Sequence, residues 1–253
     1  MKNPDYAITT PNASAQIYGA RSIVARIFAM LHHQVARSAT NFTMQRLVKR
    51  LDNYFSTLDD ELKINPLCFS KNPTLITRFN FNDTCHLRLN YLNAYISPAY
   101  NFKTQTASVK LPDLVPADFL TYPSEATHVA FIPTFFLLPD FHYDPASCAY
   151  EPRTSEPATA YGPPIPNMAM TIESNLYPIY EQIPANSEIS FHLPITPEEA
   201  RENTLFLGIS VQYFTALDEE IYGLGNPNFA ILCKVPIRLR RKFSPNHASR
   251  RPT

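Results

Sequence analysis

Tryptophan is absent from the 253 residues, and glycine occurs only 5 times where an average usage of about 7% would give roughly 18. So few glycines argue against the Gly-rich loops that cradle phosphates, and neither G-x-G-x-x-G nor G-x-x-x-x-G-K-[ST] occurs. G-x-S-x-G and H-E-x-x-H are missing as well, which leaves acyl transfer and zinc proteolysis without their local geometry. The lack of tryptophan weakens a sugar-stacking platform, although 14 tyrosines can also stack. No apolar run approaches the roughly 18 residues that a membrane span needs. Excess charge of either sign is lacking too: Lys+Arg 22 against Asp+Glu 22 gives a formal net charge of +0, which removes the global basic field of a dedicated nucleic-acid binder. Cys68, Cys85, Cys148 and Cys233 form no C-x-x-C pair, and each reads as a small buried hydrophobe rather than a metal ligand or half of a bridge. The first residues have no apolar h-region behind them, so a cytoplasmic location is expected and the three N-x-[ST] sequons read as chance.

What is abundant is proline, 24 residues at about twice the average share, and apolar residues at 45%. From about Ala20 to Ala36, Val24, Ile27, Phe28, Leu31 and Val35 recur at three- and four-residue steps, the mark of an amphipathic helix. A second stripe, Met44, Leu47, Val48, Leu51, Phe55 and Leu58, predicts a helix from about Asn41 to Leu58, with Ser38 or Thr40 as N-cap. A short polar connection would let the two pair as a helical hairpin. After Pro66 the period changes to two. Cys85, Leu87, Leu89 and Tyr91 alternate with polar residues, as do Ala107, Val109 and Leu111, then Ile189, Phe191 and Leu193. Val129–Ile132, Phe135–Leu138, Leu205–Phe214 and Phe229–Val235 complete the strands. The predicted class is mainly β with an N-terminal helical hairpin, the strands forming one or two antiparallel β-sandwiches. The chain divides into a helical segment (1–62), a first β half or domain (63–148), a Pro-rich loop or linker (149–170), a second β half or domain (171–236) and a basic tail (237–253).

Three stretches carry a resemblance. They are Ala20-Arg-Ser-Ile-Val-Ala-Arg26 continuing through Gln45-Arg-Leu-Val-Lys-Arg50, then Ser108-Val-Lys-Leu-Pro112 leading to Pro123-Ser-Glu-Ala-Thr-His-Val129, and Leu205–Phe214 with the turn Tyr222-Gly-Leu-Gly-Asn-Pro227. In this order they resemble an uncharacterised family of soluble bacterial proteins with an arginine-bearing helical segment ahead of a fibronectin-III-like or immunoglobulin-like β body. The resemblance implies that fold and brings no catalytic residues with it.

Each chemistry-bearing cluster has a plain alternative. His32 and His33 are adjacent on a predicted helix, about 100° apart, and cannot share one ion without a third ligand. Asp140, His142 and Asp144 would project from one strand face as two carboxylates around an imidazole, which suits a cation or an oriented general base; a solvated strand face gives the same pattern. Asp218-Glu-Glu220 lacks the calcium-loop pattern and reads as a charged hairpin tip. No metal and no cofactor is expected. After Pro236 come Arg238, Arg240, Arg241 and Lys242 with no acidic residue, the expected partner-binding feature. Self-association or a protein partner ranks ahead of nucleic acid or another polyanion, with a solubilising terminus as the plain alternative. The functional expectation is therefore a non-enzymatic structural or interaction module. A glycan-binding sandwich and a hydrolase with an unrecognised site are the alternatives.

Overall fold

The computed structural model describes residues 13–31, 42–57, 67–82, 92, 95–144, 149–152, 169–217 and 220–237. It is mostly β, with antiparallel sheets and four helices among the described residues. The central sheet has the order β1-β11-β10-β4-β7, formed by β1 (Phe79–Asn80), β4 (His128–Pro139), β7 (Ala169–Thr171), β10 (Asn203–Leu217) and β11 (Glu220–Lys234). The two-residue strand β8 (Tyr177–Pro178) also pairs with β4, beyond β7 along that edge. A second sheet has the order β2-β3-β9, from β2 (Ser97–Asn101), β3 (Thr106–Lys110) and β9 (Glu188–His192). A ribbon pairs β5 (Phe141–Asp144) with β6 (Ala149–Pro152). Because β4 lies between β10 and β7, strands from both β halves of the sequence share one sheet.

The near-continuous apolar runs make sense once both faces of that sheet are covered. Along β10, Leu205, Leu207, Ile209 and Val211 face one core while Phe206 faces the other. On β4, Val129, Phe131, Phe135 and Leu137 alternate in the same way with Phe136 and Leu138. The first core also contains Tyr100, Ala107, Val109 and Ile189 from the β2-β3-β9 sheet. In the second lie Ile23, Val24 and Ile27 of α1 (Ala13–Met30) and Leu47, Leu51 and Phe55 of α2 (Thr43–Ser56). Pro133 is tolerated inside β4 because its carbonyl faces the β7 side, where it accepts from Ile172 N–H (3.3 Å) in the gap between β7 and β8. Its missing donor therefore breaks no rung of the β4–β10 ladder.

Several local expectations need correction. α1 begins at Ala13, ahead of the expected start, and residues 32–41, including His32, His33, Ser38 and Thr40, lie outside the described residues. The N-cap of α2 is Phe42, which makes no side-chain cap bond; Thr43 instead donates its hydroxyl to the Phe81 carbonyl (2.7 Å), pinning the helix start to the end of β1. Met44, expected in the apolar stripe, is exposed. Tyr222–Pro227 is part of β11 rather than a turn; Gly225 at φ +62° allows the chain to continue there, next to the register shift between Val211 and Tyr213. The Pro-rich segment opens as strand β6, held by Tyr143 and Tyr150 in register with ring centroids 5.5 Å apart. Residues 153–168 and the expected strand Cys85–Tyr91 lie outside the described residues.

α1 meets the β5–β6 ribbon closely. A Cβ placed on Gly19 would come within 2.1 Å of the Tyr150 ring, so the helix can approach only because glycine is there. Two short helices complete the fold, α3 (Pro116–Phe119) and α4 (Pro197–Glu202), the latter opened by a capping box between Thr196 and Glu199. Phe206 is fully buried between the sheet and the helices. Phe206→Ala should therefore lower the unfolding free energy by about 3–5 kcal/mol in urea denaturation. Leu217→Ala, on an exposed side chain, should change it by less than about 0.5 kcal/mol.

Candidate functional site

The polar cluster expected around His142 lies where β4 ends at Pro139 and the chain turns into β5. Asp140 precedes that strand, and its carboxylate is taken up by Ser70: Oδ1 accepts from the Ser70 N–H at 3.1 Å and Oδ2 from its hydroxyl at 2.8 Å. Ser70 belongs to the turn closed by Lys71 and Asn72 N–H donating to the Cys68 carbonyl (3.1 and 2.8 Å). Asp140 thus fastens a turn 70 residues away in sequence to the end of the central sheet. Within β5, Phe141 and Tyr143 are buried and His142 and Asp144 half-buried, as the alternation of the strand dictates.

His142 stands in register with Glu151 on β6, so the two side chains share a face. Glu151 pairs with Arg26 of α1 at 3.6 Å, and the Arg26 guanidinium lies 6.0 Å from the centroid of the Phe141 ring. Here the helix, strand and ribbon meet through one ion pair, which the sequence reading missed because Arg26 and Glu151 are far apart in the chain. The His142 Nδ1 atom is buried without a hydrogen-bond partner. Among the described residues no three His, Cys, Asp or Glu side chains are arranged to hold a metal ion. Arg238, Arg240, Arg241 and Lys242 lie outside the described residues, as do Asp218 and Glu219.

Two further features emerge from the packing. Tyr122 and Tyr180 meet edge to face at 6.0 Å, with Tyr180 largely exposed. At the far end of the β10–β11 hairpin, Leu217, Ile221 and Tyr222 are 58%, 46% and 47% exposed. The sequence signal for the latter was present, since Leu217, Ile221 and Tyr222 flank a charged tip, but exposure is decided by what packs above them. Burial pushes the Cys233 thiol up to about 11, so at neutral pH it is protonated and a poor nucleophile. Among the described residues no helix is long and apolar enough to cross a membrane. Comparison with protein-family models, with curated proteins and with solved structures finds no match to the chain.

If Asp140 is a fastener, Asp140→Ala should lower the unfolding free energy by about 1.5–3 kcal/mol, the range for hydrogen bonds to a charged group. His142→Ala should cost less than half as much in the same urea titration. A second prediction concerns alkaline pH. Burial, and after it the neighbouring Tyr143, pushes the Tyr150 phenol up to about 12, whereas an unfolded tyrosine ionises near 10. The raised folded value means that the fold disfavours the phenolate. Stability is complete below pH 10 and declines as pH rises from about 10 to about 12. Tyr150→Phe should flatten that decline in melting curves recorded across this window.

Proposed function

We propose that the chain is a non-enzymatic structural or interaction module of a bacterial assembly, acting in the cytoplasm. In this reading the two β layers form an antiparallel sandwich of fibronectin-III-like or immunoglobulin-like type, and α1 and α2 pair as a helical hairpin over its second face. The observation that carries the reading is the apolar end of the β10–β11 hairpin. Leu217, Ile221 and Tyr222 stand in water there, and β11 from Glu220 to Asn228 has no strand partner on its outer edge among the described residues. A two-stranded ribbon with exposed apolar side chains and an open edge is a template for strand addition, because main-chain donors and acceptors wait unpaired while apolar area remains to be buried. Burial of that area contributes roughly 25 cal/mol per Å². By contrast, Asp140, Arg50 and Tyr100, polar groups that could have done chemistry, are engaged in holding loops to the body. The basic residues Arg238, Arg240, Arg241 and Lys242 supply a second partner-binding feature in sequence.

A glycan-binding sandwich is the second reading, favoured by the Tyr122–Tyr180 pair, with Tyr122 half-buried and Tyr180 exposed, whose rings could stack on a sugar. The two separate experimentally. A photo-crosslinking residue placed at Tyr222 should yield an adduct of one defined mass in cells, and Leu217→Asp with Ile221→Asp should abolish it. Crosslinking no better than from the exposed control position Tyr95 would sink the interaction reading. Quenching of Tyr180 fluorescence by oligosaccharides, lost in Tyr122→Ala, would instead favour the glycan reader.

A further inference from the structure

Charge on this neutral chain is sorted by face. The core shared with the helices is bordered by α2 and by residues 67–82, and here stand Arg46, Lys49, Arg50, Lys71, Arg78 and, from the end of β11, Lys234. Asp52 is the one acidic residue in residues 42–57 and 67–82. These cations lie along one border of that core, with two anions on the same side: Asp140, whose carboxylate accepts from Ser70 next to Lys71, and Glu151, paired with Arg26. Arg50 donates to the Thr74 and Thr77 carbonyls (Thr77 at 3.1 Å), which joins α2 to the turn before Arg78. Lys234 donates to the Ser70 carbonyl at 2.7 Å, beside Lys71. Helical spacing puts Lys49 opposite the buried Leu47 and Leu51, while the half-buried Arg46 and Arg50 flank that stripe on one side of α2. A backbone carbonyl satisfies a donor without bringing an opposite charge beside it. Lys49, Lys71, Arg78 and Lys234 are exposed.

The other face leans acidic, with Lys110 in register with Glu188 across the β3–β9 pair. Residues 172–202, which contribute Ile179, Ile183, Ile189, Leu193 and Ile195 to the first core, carry Glu173, Glu181, Glu188, Glu198, Glu199 and Glu202 against the single cation Arg201. The central sheet separates the two surfaces.

Resting on the reading of the chain as an interaction module, we propose that its partner is a second copy of itself, the basic surface of α2 and residues 67–82 docking on the acidic surface of residues 172–202 of the next copy. Both halves of the complementarity are present on one chain, which no other partner requires. An anionic bilayer fits less well, because the apolar face of α2 (Leu47, Leu51, Phe55) is buried in the core and cannot insert. Since the two surfaces differ, the contact is head to tail and repeats, giving a ring if the rotation closes and a filament if it does not. The positive residues after Pro236 follow Lys234 in sequence and add to the same sign.

Light scattering and sedimentation of the full chain test this. The wild type should associate with rising concentration at about 0.1 M salt, and its apparent dissociation constant should rise at least about tenfold at 1 M, where the Debye length falls from about 10 to about 3 Å. Lys49→Glu with Lys71→Glu, and separately Glu181→Lys with Glu188→Lys, should each be monomeric, all four sites being exposed and the fold checked by circular dichroism. An equimolar mixture of the two variants should associate again, because each copy supplies the intact face the other lacks. A wild type that stays monomeric, or a mixture that does not recover, overturns the proposal. So does a basic-face variant that loses retention on immobilised single-stranded DNA while the oligomer mass is unchanged, which would assign the surface to nucleic acid. In each of those cases a persistent crosslink from position 222 would leave the interaction reading standing, whereas its loss would remove that reading separately.

Discussion

Because β4, β10 and β11 are apolar on both faces, the central sheet cannot exist alone in water, and the rest of the chain is arranged to cover it twice. One cover is the β2-β3-β9 sheet with α3, which brings Phe119 against Phe131 at 6.4 Å. The other consists of α1, α2 and the β5–β6 ribbon, with Phe55 against Tyr150 at 4.9 Å and Phe81 against Phe229 at 5.1 Å. Each buried aromatic or aliphatic side chain contributes about 1.5–3 kcal/mol, so either cover outweighs the few kcal/mol of net stability a domain retains. Neither is optional.

The same constraint explains what polar residues do here. Covers built from short elements need fastening at their edges, and the fastening falls to long-range polar contacts: Asp140 to Ser70, Thr43 to the Phe81 carbonyl, Arg26 to Glu151, Tyr100 hydroxyl to the Leu193 carbonyl at 2.9 Å. Placed where a catalytic reading would seek a reacting group, Asp140 is occupied in tertiary structure. At the end of the β10–β11 hairpin, by contrast, Leu217, Ile221 and Tyr222 stay exposed.

Periodicity carried much of this. The stripes Val24-Ile27-Leu31 and Leu47-Leu51-Phe55 are buried, and the alternation of Ala107 with Val109 and of Phe141 with Tyr143 places them inward, since 3.6 and 2 are properties of local backbone geometry. The limits were of a different kind. Val129–Ile132 and Phe135–Leu138 read as two runs but form one strand, because Pro133 between them faces an edge gap that only the tertiary arrangement creates. Met44 fits the helical stripe and is exposed, whereas its neighbour Thr43 takes the buried position and donates its hydroxyl to the Phe81 carbonyl. The Asp140–Ser70 and Lys234–Ser70 contacts span 70 and 164 residues and have no local signal at all. Tyr122 and Tyr180, 58 residues apart, are hidden from sequence for the same reason.

The central claim is that the helical cover stabilises the sheet rather than serving elsewhere. Removing residues 1–60 and comparing thermal melting and hydrophobic-dye binding with the full chain tests it most directly. The account predicts a truncated chain that melts well below the full-length protein or aggregates, with strong dye binding from the uncovered Phe136, Phe206 and Phe229 face. A soluble truncation with the full-length melting temperature and no added dye binding would contradict it.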